Sequence, residues 1–133
     1  GVITVFGGKQ QRPNIHIDDV ADLYVNMLSY PKEKVAGQIL NAGFDNLSIM
    51  EMAQLVKKIV GKHVKIEVTP SDDLRSYRVS SKKIKKLLGW KPKRSVEDAI
   101  RGLVKAFEEG KIPEPLDNPR YYNIKTMQLK KLK

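Results

Sequence analysis

A chain of 133 residues, 41% apolar and 7% aromatic, is long enough for one domain with its own core. It has no cysteine, which excludes disulfides and thiolate metal sites, and no run of about 18 apolar residues that could span a bilayer. Its net charge of +10 is uneven: residues 1–56 hold 4 Lys/Arg against 6 Asp/Glu, residues 57–133 hold 21 against 9.

Ile3-Thr4-Val5-Phe6 is β-branched and apolar, and Gly7-Gly8 breaks it, which predicts a strand and a turn. Asn14 to Ile17 alternates and predicts a second short strand. Asp18 opens a helix expected over 18–29, with Asp18, Asp19 and Asp22 near its positive end and Val20, Leu23, Tyr24, Met27 and Leu28 at helical spacing. Gln38-Ile39-Leu40-Asn41 reads as a strand running into the loop 42–46. Ser48 and Glu51 form a capping box for a helix over 49–60, which buries Met52, Leu55, Val56 and Ile59 and stops at Gly61. Val64, Ile66 and Val68 alternate as a strand closed by Pro70. Ser80 or Ser81 caps a short basic helix over 81–88, with Ile84, Leu87 and Leu88 inward and Gly89 at its end. Trp90 and Pro92 make a packed corner. Ser95 caps a last long helix over 96–109, striped by Val96, Ala99, Ile100, Leu103 and Phe107 and stopped at Gly110. The predicted organisation is an α+β domain over 1–110 and an extended basic tail over 111–133, with a weak helix near Thr126–Leu132.

The basic second half admits nucleic acid, an anionic membrane or a phosphorylated small molecule as partner. Nucleic-acid binders interleave aromatics or carry readable motifs, and neither occurs here. Lys82-Lys83-Ile84-Lys85-Lys86 reads as the solvated face of a helix. No nucleic acid and no membrane is expected as a partner. No basic segment followed by an apolar one opens the chain, and a cytoplasmic location is expected.

Three positions suit recognition of a phosphorylated ligand. Arg12 follows the glycine turn at a strand mouth, where its planar guanidinium can meet a phosphate bidentately. Arg75 and Arg78 lie in the polar loop Pro70 to Arg78, between a strand and a helix, where binding residues usually sit. Asn41 stands at the expected end of a strand. Arg78 is read as a surface charge, and Gly89-Trp90-Pro92 as a helix stop and core corner. His16 with Asp18, Asp19 and Asp22 is not read as a metal site, because the acids sit at a helix start where their role is electrostatic. His63 reads as a solvated loop residue.

Four segments in order resemble the extended short-chain dehydrogenase/reductases, the NAD-dependent nucleotide-sugar epimerases and dehydratases. They are Arg12-Pro13-Asn14-Ile15-His16-Ile17-Asp18, with proline in the usual aspartate position; Leu40-Asn41-Ala42-Gly43; Asp73-Leu74-Arg75-Ser76-Tyr77; and Lys82 to Pro92, with lysine in the serine position. The resemblance is to the C-terminal, substrate-binding part of the family. It implies a nucleoside-diphosphate sugar held by Arg12, Asn41 and Arg75, with Tyr77 beside them. It also implies NAD or NADP, bound by an N-terminal Rossmann domain of the same polypeptide.

The family's catalytic Tyr-x-x-x-Lys belongs on a helix ahead of these motifs. Tyr30 with Lys34 and Tyr121 with Lys125 have the spacing but follow the substrate motifs, and are read as decoys. Gly7-Gly8 is not a dinucleotide fingerprint. The chain alone is therefore expected neither to bind NAD nor to catalyse. It is expected to expose apolar surface and self-associate, in the simplest case as a homodimer. The rival reading is a non-catalytic basic module that binds nucleotide sugars or polyanions.

Overall fold

The computed structural model describes residues 1–73 and 75–131; Leu74 of the third motif and Leu132 of the expected tail helix lie outside them. The chain divides into two compact units, Gly1–Arg101 and Gly102–Lys133.

In the first unit β1 (Val2–Phe6) pairs in parallel with β4 (Lys65–Thr69), and β2 (Gln11–Asn14) pairs antiparallel with β3 (Asp45–Ser48). Helices α1 (Ile17–Met27), α2 (Lys32–Val35), α3 (Ile49–Val60) and α4 (Lys82–Leu88) belong to this unit, and α5 (Val96–Glu108) runs across the division. Parallel pairing, antiparallel pairing and helices together make a mixed α and β arrangement. Val5, Ala53, Val64, Ile84, Trp90 and Ile100 form its buried core.

Local chemistry explains most boundaries. Ser48 and Glu51 close a full capping box on α3: the serine Oγ accepts from Glu51 N, and the glutamate accepts from Ser48 N. Ser95 and Asp98 make the equivalent exchange at the start of α5. Gly89 ends α4 at φ 67°, a left-handed conformation that favours glycine. Ser81 precedes α4 but does not cap it; its hydroxyl accepts from Gly43 N and donates to Gly43 O, tying residue 43 to the helix start.

The structure corrects the expected elements in several places. The second strand is Gln11–Asn14, not 14–17, so it carries Arg12 and Pro13. His16 is the N-cap of α1, its Nδ1 accepting from Asp18 N at 3.1 Å, and not a residue of the expected second strand. Residues 38–41 form no strand; Ile39 is 85% exposed, and the strand of this region is Asp45–Ser48, which begins inside the expected loop and runs past its end. Gly61 takes φ 136° and ψ 164°, a glycine conformation but not the left-handed helical one. Val68 of the alternating strand is exposed, as are Tyr24 on α1, Leu28 at its C-cap, and Leu103 and Phe107 on α5.

The second unit contains the end of α5, a 3-10 turn Pro119–Tyr121 and α6 (Asn123–Leu129); the expected tail helix thus starts three residues earlier, and a 3-10 turn not expected from the sequence precedes it. Asn118 caps the 3-10 turn, and Thr126 Oγ1 donates to Pro119 O at 2.6 Å. These local side-chain bonds, absent from any hydrophobic pattern, are what turn the chain back into helix.

No helix among the described residues is long and apolar enough to cross a membrane.

Candidate functional site

Strand β2 and the segment 71–80 form the candidate site. Residues 71–80 contain no helix or strand among those described, yet side chains pin them at several points. Buried Gln10 donates from Nε2 to Asp73 O at 3.0 Å and to Phe6 O at 3.0 Å, while its Oε1 accepts from Gly8 N at 2.7 Å. Ser76 Oγ accepts from Gln11 N at 3.0 Å. Asn46, on β3, donates from Nδ2 to Val79 O and accepts from Val79 N, imitating a strand pairing with its side chain. An irregular loop is thereby fastened along β2 and β3, which is how a loop can present charged groups at defined positions.

Arg12 points into the angle between strand and loop. Its Nη1 donates to the carbonyls of Gln11 and Arg75, its Nη2 lies 3.5 Å from Asp73 Oδ2, and its guanidinium stands 5.0 Å from the centre of the Tyr77 ring. Arg75 grips the same carboxylate bidentately, Nε to Oδ1 at 2.7 Å and Nη2 to Oδ2 at 2.9 Å. Two guanidinium groups thus converge on one anion, and an aromatic ring lies against the first of them. The side-chain and backbone hydrogen bonds from Arg75 hold the Asp73 carboxyl far below the usual carboxylate range, with Arg12 adding a smaller Coulombic share. Asp73 in turn raises the Arg75 guanidinium.

Of the four residues singled out from the sequence, Arg12, Arg75 and Tyr77 lie together. Asn41 is exposed in irregular chain, and among the described residues no hydrogen bond or ion pair joins it to the others. Sequence reasoning passed over Asp73, Gln10 and Asn46. Only Asp73 left a signal, an acid two residues before an arginine in a polar loop. A hollow of about 250 Å³ lined by Gly7, Lys9, Gln10 and Ser76 opens at the same loop.

The acids at the start of α1 stand in or near its first turn, as expected, and carry a further task. Asp19, 2% exposed, accepts from Lys93 N, Arg94 N and Arg94 Nη1 at 3.0, 2.9 and 2.8 Å. Asp22 and Asp18 flank the same guanidinium at 3.0 and 3.6 Å. Burial works against ionised Asp19, but the two backbone donors and Arg94 outweigh it and lower its pKa. This cluster anchors α1 to the segment that enters α5.

The glycine turn does not suit a nicotinamide dinucleotide. A Cβ on Gly7 would fall 2.5 Å from Gln10 Nε2, the Gly8 amide is spent on Gln10, and the turn leads into a strand rather than a helix N-terminus. Tyr30 precedes α2, and Tyr121 and Lys125 lie on different elements, with Lys125 stacked on Tyr122 at 4.2 Å.

Comparison with known proteins places this geometry in context. Residues 1–43 match the model of the NAD dependent epimerase/dehydratase family. The bifunctional UDP-glucose 4-epimerase and UDP-xylose 4-epimerase 3 of Arabidopsis thaliana is 31% identical over 99 residues, 71% of this chain and 28% of that protein. Among solved structures, the GDP-D-glycero-L-gluco-heptose synthase of Campylobacter jejuni, determined with NADPH, superposes with a TM-score of 0.67 at 27% identity, over 80% of this chain and 33% of that one. The UDP-glucose 4-epimerase of Thermotoga maritima, determined with UDP-glucose, gives 0.65 at 25% identity over 82% and 35%. The chain is thus similar to the extended short-chain dehydrogenase/reductases of the NAD-dependent epimerase/dehydratase family. It spans about a third or less of the length of these relatives.

Proposed function

We propose that this chain is the C-terminal, substrate-holding part of a nucleotide-sugar epimerase or dehydratase, and that Arg12 and Arg75 clamp the diphosphate of its substrate. The observation that carries the reading is the convergence of both guanidinium groups on the single Asp73 carboxylate, at a loop fastened to β2. A pair of forks already set around one anion needs little reorganisation to hold another, and planar guanidinium suits phosphate oxygens. Tyr77, stacked on Arg12 and 54% exposed, offers a flat surface to the ligand, and exposed Asn41 offers an amide. The relatives named above act on UDP- or GDP-linked sugars, which supports a nucleoside diphosphate as the shared ligand element.

The nicotinamide dinucleotide, NAD or NADP, is assigned to an N-terminal Rossmann domain of the same polypeptide, because the glycine turn of this chain is filled by Gln10. Epimerisation, dehydration or reduction of the sugar belongs to that domain, and this chain alone binds without catalysing.

Titration separates the reading from that of a basic polyanion-binding module. UDP-glucose is expected to bind saturably to the wild type and about 10- to 100-fold more weakly to Arg75→Ala, the loss of a charge-assisted bidentate contact. Lys82→Ala/Lys85→Ala/Lys86→Ala is expected to leave that affinity unchanged. Tight heparin binding abolished by the lysine variant, with no UDP-glucose binding in any protein, would contradict the reading.

A further inference from the structure

Asp73 occupies the position that the clamp offers to an anion. Both of its carboxylate oxygens are taken by Arg75, and Oδ2 also faces Arg12. A ligand that uses the inner edges of both guanidinium groups therefore meets them already engaged. The carboxylate itself is lightly held by everything else: its side chain is 41% exposed, and among the described residues its one bond outside the two guanidinium groups is to the Arg75 amide, at 3.1 Å. The backbone behind it is fixed, because Gln10 holds Asp73 O and Ser71 Oγ accepts from Asp73 N at 3.2 Å. The side chain can swing to water while the loop stays in place.

Resting on the clamp reading above, we propose that Asp73 is an internal competitor for the diphosphate: its carboxylate fills the Arg12–Arg75 clamp in the empty protein and must be displaced when the ligand binds. The charges favour the exchange. A diphosphate brings more negative charge than one carboxylate and can reach both arginines through separate phosphate groups, whereas the carboxylate, once released, is solvated at the surface. The arrangement keeps both guanidinium groups ordered in the empty state and lowers affinity by the fraction of time the clamp is closed on itself. Asp73 thereby sets the affinity of the site, so that a product retaining the diphosphate is released more readily than from an open clamp.

UDP is the probe, titrated calorimetrically against the 133-residue chain as wild type, Asp73→Asn, Asp73→Ala, Arg12→Ala and Arg75→Ala, with thermal melts to establish that each is folded. Both Asp73 variants are expected to bind UDP about 2- to 5-fold more tightly than the wild type, the range a partly exposed ion pair can withhold. They are expected to gain nothing for uridine, which has no phosphate. Equal or weaker UDP binding by both folded Asp73 variants, with Arg12→Ala and Arg75→Ala weakened, would overturn the internal competitor and leave the clamp standing. Unchanged UDP affinity in both arginine variants, or no UDP binding by any of the proteins, would remove the clamp and the competitor together.

Discussion

Arg12 is immobilised before any ligand arrives: two carbonyls accept from Nη1, Asp73 faces Nη2, and the Tyr77 ring covers one side of the plane. An ammonium can reproduce none of this geometry beyond its charge. Arg12→Lys is therefore expected to recover only part of the UDP affinity lost in Arg12→Ala, leaving a deficit of about 5-fold or more in the same titration; full recovery would reduce Arg12 to a point charge. Gln10 acts one step further back, joining the glycine turn to the loop through three bonds. Gln10→Ala should lower stability by about 1–3 kcal/mol in a urea melt, since it leaves buried groups unpaired. The same change should weaken UDP binding, because Asp73 and Arg75 lose their tether; unaltered binding would show that the loop holds itself. An arginine just after a glycine turn and another in a polar loop stand out in a sequence, which is why Arg12 and Arg75 could be singled out before their proximity was known. A glutamine whose three partners lie up to 63 positions away does not.

Capping chemistry made some elements readable to the residue. The Ser48–Glu51 exchange fixes the start of α3 at Ile49, and Ser48→Ala should lower stability by about 1 kcal/mol, read as a shift in the denaturation midpoint. Strands were less legible, because a strand exists only where something pairs with it. Gln38 to Asn41 has the right residues but finds no neighbour in this chain among the described residues, whereas Asp45–Ser48, with poor strand composition, lies against Gln11–Asn14. Proline sits inside that second strand opposite Asn46, and Asn46 turns its amide to Val79 instead. Asn46→Ala should therefore loosen the loop selectively, seen as faster amide exchange at Val79 with α3 unaffected. Equal exchange in both proteins would mean that the side-chain pairing does not hold the loop.

At the scale of the whole molecule, the first unit combines a small core with open apolar surface. Ile17, Tyr24 and Val25 on α1 and Leu28 at its C-cap, with Phe6, Ile39 and Val68, are all exposed. Surface of this kind promotes association, and the elution volume in sizing chromatography should fall as concentration rises; a concentration-independent monomer would argue that the surface is too dispersed to matter. Stability should also fall in acid. Asp19 has a lowered folded pKa, so its contribution is present above the ordinary carboxylate value and is lost as pH drops through the folded one. Asp19→Asn should be less stable at neutral pH by about 2–4 kcal/mol and should flatten the acid limb of a stability profile. A profile parallel to that of the wild type would place the acid sensitivity elsewhere. Helix patterns revealed α1 but not this anchor, whose partners Lys93 and Arg94 are over 70 positions away.

The central claim is that Arg12 and Arg75 act as one clamp on a diphosphate. A double-mutant cycle tests it most directly, with UDP affinity measured for wild type, Arg12→Ala, Arg75→Ala and the double variant. Each single change is expected to weaken binding about 10- to 100-fold, and the double variant to lose clearly less than the product of the two losses, because both residues serve the same anion. Unchanged affinity in the single variants, or losses that multiply as independent sites do, would contradict it.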